Sequence, residues 1–304
     1  MSCFFMQLSD IAVISVLCES FQEQTYIVHQ KGNNDCLVID PGLDDGAIAE
    51  TLQRSRLNPV AVLITHGHGD HIAGIPVVKS LSPSCKVYAG ELDNEKLTDA
   101  HKNLSASFGF DLTVGTADVL LRDGAVLELA GIRIEVRHVP GHSKGHVVYY
   151  IAAEPKGLLF SGDVIFRGSI GRSDFPDGDP AVQIPAIEKQ ILSLPDSTVI
   201  YPGHGATTTV GEEKRTNPFL YIAIFMGIFG PRVGQGPLFD EVCQYHELDK
   251  KVKTLLQSVI KKYQPPRPVE IFILPDILCT ALADADFADS AGDLQKLHDT
   301  WFQK

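Results

Sequence analysis

The chain has 304 residues, 44% hydrophobic and 21% charged, enough for one large domain with a substantial core or for a domain and an appendage. Its formal net charge of −12 argues against a nucleic-acid partner, because such proteins carry a basic face. The six cysteines, at 3, 18, 36, 85, 243 and 279, include no Cys-x-x-Cys pair, which suits free thiols in a reducing compartment better than a disulfide framework.

In chain order, residues 1–6 are apolar but carry no Lys or Arg, and Asp10 arrives before a signal-peptide core can complete. The expectation is a cytoplasmic protein. Strands are predicted over residues 11–17, 25–28 and 36–40, the last stopped by Pro41-Gly42. A helix with an acidic N-terminus is predicted over 44–52, with Ile48, Leu52 and Leu57 at roughly helical spacing. Residues 60–64 read as a buried strand that runs straight into Thr65-His66-Gly67-His68-Gly69-Asp70-His71. A second helix is predicted over 72–81 and a short strand over 86–89. Residues 91–118 are polar and poorly patterned, and read as helix and loop. Strands return over 126–129 and 132–136, a hairpin turned at Ala130-Gly131, and over 147–151, 158–160 and 198–201. A helix is predicted over 181–194 with Pro185 in its first turn. Strands and helices mixed without strict βαβ alternation give an α/β or α+β class with largely antiparallel sheet.

The character changes beyond Asn217-Pro218. Residues 219–229 are apolar apart from one glycine and are about half a bilayer span long, so no membrane span is expected. Residues 230–237 are rich in Gly and Pro. A helix over 241–263, a linker over 264–268, a strand over 269–274 and a helix over 293–302 complete the pattern. The chain therefore divides into a catalytic domain, 1–218, and a mostly helical C-terminal extension, 219–304. The apolar run is either a buried helix covering the domain or a homo-oligomer surface.

Three imidazoles and a carboxylate within six positions, directly after a buried strand, point to a metal. His66 and His68, two apart, can share one ion, and Asp70 and His71 lie within reach of a second. Gly67 and Gly69 are expected to permit the tight turn. A donor set without cysteine suits an open, catalytic zinc site better than a closed structural one. Three later loops each place a donor behind a strand: His142 in Val139-Pro140-Gly141-His142, Asp163 in Ser161-Gly162-Asp163, and His204 in Tyr201-Pro202-Gly203-His204. The small residue before each lets the backbone crowd inward. Seven donors are too many for one tetrahedral zinc and fit two metals with one bridging carboxylate.

The order His-x-His-x-Asp-His, then His, Asp and His, resembles the metallo-β-lactamase superfamily. Pro140-Gly141-His142-Ser143-Lys144-Gly145-His146, Ser161-Gly162-Asp163-Val164-Ile165-Phe166 and Tyr201-Pro202-Gly203-His204-Gly205 resemble glyoxalase II (hydroxyacylglutathione hydrolase) and its short bacterial relatives, over about residues 10–218. The resemblance implies an α+β fold, an αβ/βα four-layer sandwich with the metals at one edge. It implies His66, His68 and His142 on one metal, Asp70, His71 and His204 on the other, and Asp163 between them. The implied cofactors are two divalent ions, zinc foremost, with iron or manganese as alternatives. The implied reaction is hydrolysis of a small-molecule thioester of acylglutathione type by a metal-bridging hydroxide that Asp70 orients. Two divalent ions against two carboxylates and a hydroxide leave the centre positive, which would draw an anionic substrate.

Asp40 resembles a carboxylate that braces a metal-site histidine in the family, and equally reads as a turn-starting residue. Arg172 falls where glyoxalase II has a basic residue that meets the glutathione moiety, or is a surface salt bridge. The next matching position, a tyrosine in glyoxalase II, is Asp174, and the C-terminal segment does not resemble the family's helical glutathione-binding region. His146 is expected to be structural, and His29, His101, His138, His246 and His298 to be ordinary polar residues. The alternative activities are an iron-dependent persulfide dioxygenase using His66, His142 and Asp163, and a lactone hydrolase.

Overall fold

In the computed structural model, which describes residues 6–217 and 219–220, two six-stranded sheets enclose a shared apolar core. The first sheet runs β1 (Ile11–Cys18), β2 (Glu23–Gln30), β3 (Asp35–Ile39), β4 (Asn58–Ile64), β5 (Lys86–Gly90) and β6 (Val119–Leu121), in that spatial order. Its first two pairings are antiparallel and the next three parallel. The second sheet runs β7 (Val126–Leu129), β8 (Ile132–His138), β9 (Val147–Ile151), β10 (Leu158–Gly162), β11 (Val199–Pro202) and β12 (Thr208–Thr209). It is antiparallel except for the parallel pair β10–β11. Both sheets belong to the first of the chain's two compact units, Met1–Lys214.

Side chains alternate across the strands. Leu37 and Ile39 of β3 and Ala61 and Leu63 of β4 face the inter-sheet core, where they join Ile134, Val136, Tyr149 and Phe160. Cys36, Val38, Val62 and Ile64 face outward, against Ile48 and Leu52 of helix α1 (Asp45–Ser55) and against Ile75 and Val78. Strands covered on both faces need apolar residues at every position, which is why 60–64 reads as an unbroken apolar run. Helix α4 (Pro180–Gln190) buries Ile184 and Ile187 beside β8 and supplies the fourth layer. The fold is thus the expected α+β sandwich, with more parallel pairing than the sequence suggested.

The single helix predicted over 72–81 is two: α2 (Gly69–Ile72) and α3 (Ile75–Leu81). Gly74 lies between them and donates its N–H to the Pro41 carbonyl at 2.8 Å. A Cβ there would sit 2.7 Å from the Gly42 carbonyl oxygen, so the two loops meet only because Gly74 has no side chain. Helix α4 starts one residue earlier than predicted, capped by Asp179, and ends at Gln190. Pro185 therefore stands in its interior, beyond the first turn, where it removes one helical hydrogen bond. The unpatterned stretch 91–118 holds two 3₁₀ segments, Glu91–Thr98 and Ser105–Phe108. Helix α5 spans Val210–Thr216. The elements predicted over 241–263, 269–274 and 293–302, and all but the first two residues of 219–229, lie outside the described residues. Among the described residues no helix is long and apolar enough to cross a membrane.

Two glycines give opposite stability predictions. Gly74→Ala forces its Cβ against rigid backbone and lowers unfolding stability by about 1–3 kcal/mol. Gly46→Ala, in α1 with no outside atom nearer than 3.9 Å, raises it by about 0.5 kcal/mol. Urea titrations of the two variants check both signs.

Candidate metal centre

Strands β8, β10 and β11 run in one direction, so their C-terminal ends share an edge of the second sheet. His142, Asp163 and His204 follow these ends. The loop after β4 supplies His66 and His68 to the same place, and α2 supplies Asp70 and His71. All seven predicted donors come together.

They form two groups. His66 Nε2, His68 Nδ1 and His142 Nε2 lie 3.0, 3.1 and 3.2 Å apart. Nitrogens around a tetrahedral zinc, at about 2.0–2.1 Å from the ion, stand about 3.3 Å from one another. The other ring nitrogen of two of these histidines is already engaged. His66 Nδ1 lies 3.1 Å from Thr65 Oγ1, and His142 Nδ1 donates to the Arg172 carbonyl at 2.8 Å. The lone pairs of His66 Nε2 and His142 Nε2 thus converge on one point beside His68 Nδ1. Burial, reinforced by neighbouring imidazoles, pushes His66 and His68 well below the ordinary histidine range, and burial also lowers His142.

Asp70, His71 and His204 form the second group, their donor atoms within 4.8 Å of one another. Asp163 stands between the groups. Its Oδ2 lies 3.4 Å from His204 Nε2 and 3.8 Å from His142 Nε2, and its Oδ1 lies 3.4 Å from His71 Nε2. His71 Nε2 and Asp163 Oδ1 are buried without a hydrogen-bond partner, and a cation between them satisfies both. Burial alone would lower His71 and His204. Asp163 and Asp70 overcome it, holding His71 well above its usual range and His204 at about 10. The two carboxylates thus favour positive charge at both rings.

Asp40 is a brace. Its carboxylate accepts from Thr65 N at 2.7 Å, Thr65 Oγ1 at 2.6 Å and His71 Nδ1 at 3.0 Å, which leaves His71 Nε2 to face the centre. Its backbone is left-handed, φ 46°, a strained setting for a residue with a side chain. His146 is fully buried, accepts the Asp163 N–H through Nε2 at 3.2 Å and stacks on His66 at 4.7 Å. His29, His101 and His138 stand in neither group.

The glycines work differently from the sequence expectation. Neither Gly67 nor Gly69 has a positive φ. What Gly67 provides is space: a Cβ would lie 2.6 Å from Lys96 Cβ. Gly203 does the same inside the centre, where a Cβ would fall 2.3 Å from Asp163 Oδ1.

Asp93, in the unpatterned stretch, carries no motif that marks it. Fully buried, it accepts Gly67 N–H at 2.9 Å, Ser143 Oγ–H at 2.6 Å and Gly145 N–H at 2.8 Å. One carboxylate so ties the His66–His68 loop to the His142 loop. Lys96, also buried, pairs with Asp177 at 2.7 Å and lies 3.5 Å from Asp93. Glu23 was missed as well. It is fully buried and bridged through its backbone to His204, and burial pushes its carboxyl well up.

His68, Asp70, His142, Asp163 and His204 form the floor of a cleft of about 330 Å³. Phenylalanines 21, 108, 110, 166 and 175 wall it, and Arg172 reaches its rim. The Arg172 guanidinium makes a bidentate pair with Asp174, at 2.6 and 2.7 Å.

Residues 20–204 match the family profile described as the metallo-beta-lactamase superfamily. The chain belongs to that superfamily. It is 33% identical to the hydroxyacylglutathione hydrolase GloC of Haemophilus influenzae over 207 residues, 66% of this chain and 94% of the relative. It is 35% identical to the probable metallo-hydrolase YqgX of Bacillus subtilis, over 62% of this chain and 88% of the relative. Among solved structures it is similar to TTHA1623 in a di-iron-bound form, with a TM-score of 0.59 and 37% identity over 68% of this chain and all of that one. The comparisons and the donor groups together support two divalent metals in this superfamily member.

Two outcomes test the centre. The three-histidine group has no proton to displace above about pH 6.5, whereas His71 and His204 must each lose one before a cation can bind. Zinc titrations at about pH 6.5 and 8.5 should therefore show the second equivalent tightening steeply with pH and the first nearly unchanged. Asp93→Asn should weaken the three-histidine group for zinc by about tenfold to a hundredfold, read by chelator competition, with the far-ultraviolet circular dichroism retained.

Proposed function

We propose that this superfamily member hydrolyses thioesters at a pair of divalent cations, with zinc as the working metal. Acylglutathione is the thioester type named by the resemblance and by the Haemophilus relative. The observation that supports the reading most is the position of Asp163, one carboxylate within reach of both donor groups. In this reading His66, His68 and His142 hold one cation, Asp70, His71 and His204 the other, and Asp163 both.

When bound, such a pair makes hydroxide available near neutral pH and polarises the substrate carbonyl. The chain's own residues do the rest. The Nδ1 contacts of His66, His71 and His142 fix those rings and aim Nε2 inward. Asp70, its side chain 18% exposed at the cleft floor, is placed to accept a hydrogen bond from the attacking water and orient its lone pair. A thiol departs as thiolate, so the cleft needs no general acid. The buried, free Cys18, Cys36 and Cys85 support the reducing, cytoplasmic setting expected for such an enzyme.

A one-iron dioxygenase centre on His66, His142 and Asp163 would leave Asp70, His71 and His204 without a task. The completeness of that second group favours hydrolysis. Full-length protein of measured zinc content should turn over S-lactoylglutathione in preference to a simple lactone, with near two equivalents of zinc bound. Asp163→Ala and His68→Ala should each lower kcat/KM about a thousandfold or more with the fold intact. Near-normal turnover in either variant, or activity that needs one iron and consumes oxygen, would sink the reading.

A further inference from the structure

Two tyrosines lie buried in the core between the sheets, Tyr26 on β2 and Tyr149 on β9. Phenylalanine would fill the same space without carrying a hydroxyl into a dry interior, so each hydroxyl needs a bond that offsets its burial. Each has one, and each bond crosses to the opposite sheet. Tyr149 Oη, from the second sheet, donates at 2.7 Å to the carbonyl of Ile64, the last residue of β4 in the first. Tyr26 Oη, from the first sheet, donates at 2.7 Å to the carbonyl of Pro202, the last residue of β11 in the second. Burial pushes both phenols well above their ordinary range, so the hydroxyls stay donors.

The two contacts have the same construction. Ile64 stands two residues before His66, and Pro202 two residues before His204. In each case the N–H two residues before the tyrosine takes the next carbonyl along: Val147 N donates to Thr65 O at 2.8 Å, and Gln24 N donates to Gly203 O at 2.7 Å. The chain entering each donor loop is thus held to the facing sheet at two consecutive carbonyls. Tyr149 ties the root of the His66–His68 loop to the sheet that carries His142. Tyr26 ties the root of the His204 loop to the sheet that leads to Asp70 and His71. The Tyr26 ring also packs against Phe160 at 5.5 Å and edge-on against Tyr201 at 5.4 Å, so its place does not depend on the hydroxyl.

We infer that Tyr149 and Tyr26 are positioning residues, one for each donor group: the Tyr149 hydroxyl sets the span from His66 and His68 to His142, and the Tyr26 hydroxyl the span from Asp70 and His71 to His204. Each acts through the main chain upstream of a donor rather than on the donor atoms. A cation accepts ligand distances only within about 0.2 Å of its own. Donors that arrive from two sheets keep that tolerance only if the sheets are registered where the loops begin. A hydroxyl that served the core alone would act on folding and leave the two groups alike. The inference concerns how the centre is held, and it stands apart from the thioester reading.

The test is zinc binding, by chelator competition, to the full-length chain with one donor group disabled. His204→Ala leaves the three-histidine group to bind, and His68→Ala leaves Asp70, His71 and His204. Tyr149→Phe should weaken zinc about tenfold in the His204→Ala chain and less than about twofold in the His68→Ala chain, and Tyr26→Phe should do the reverse. Equal losses in both backgrounds, or no loss in either, would overturn the inference. So would a background that binds no zinc, because the two groups would then not be separate sites. Each substitution removes one oxygen from a ring that stays packed, and circular dichroism should show the fold retained; a phenylalanine variant that unfolds would show its hydroxyl serving the core and count against the inference too. Binding is read without turnover. Absent thioester hydrolysis with the paired losses as expected refutes the catalytic reading alone, and hydrolysis without those losses refutes this one alone.

Discussion

Imidazole nitrogens aimed at one buried point are the constraint on which the rest depends. His66 Nε2, His68 Nδ1 and His142 Nε2 stand at hydrogen-bond distance, yet the outward nitrogens of His66 and His142 are already engaged. Holding such polar groups in a dry interior costs desolvation, and the surrounding chain keeps them there. Thr65 and the Arg172 carbonyl hold His66 and His142 from behind, and Asp40 holds Thr65. Asp93 holds the loops that carry them. The centre is a strained set of donors kept ready by neutral and charged hydrogen bonds around it.

The sandwich serves that arrangement. Three strands of the second sheet end at one edge, and β4 of the first delivers its loop to the same place. Both faces of β3 and β4 are covered, so the strands that carry the donors are anchored by apolar packing on two sides. Where loops pass close to one another around the centre, glycine supplies room: Gly67 against Lys96, Gly74 against Gly42, and Gly203 against Asp163 itself.

The donor set was legible in the sequence because metal chemistry restricts residue types so strongly: few alternatives explain His66, His68, Asp70 and His71 behind a buried strand. Most strand positions were legible too, since burial on one or both faces writes itself as a pattern. The break at Gly74 was not, because helical periodicity continues through it and the cause is a distant loop at Pro41-Gly42. Pro185 misled for a related reason: its helix starts at Pro180 behind the Asp179 cap, one residue earlier than expected, which carries Pro185 past the first turn. Asp93 and Glu23 escaped notice because a buried carboxylate looks, in one dimension, like any solvated one. Only three-dimensional neighbours reveal that Asp93 has every oxygen engaged.

Each donor group draws on both sheets. His66 and His68 hang from the first sheet and His142 from the second, and Asp70 and His71 face His204 in the same way. An ion held by either group is therefore a cross-link between the two layers of the sandwich as well as a reagent. Ligation and heat resistance become one linked equilibrium: the free metal concentration around the protein would set how firmly the layers stay closed at that edge, and a cell short of metal would lose the scaffold's rigidity along with its chemistry.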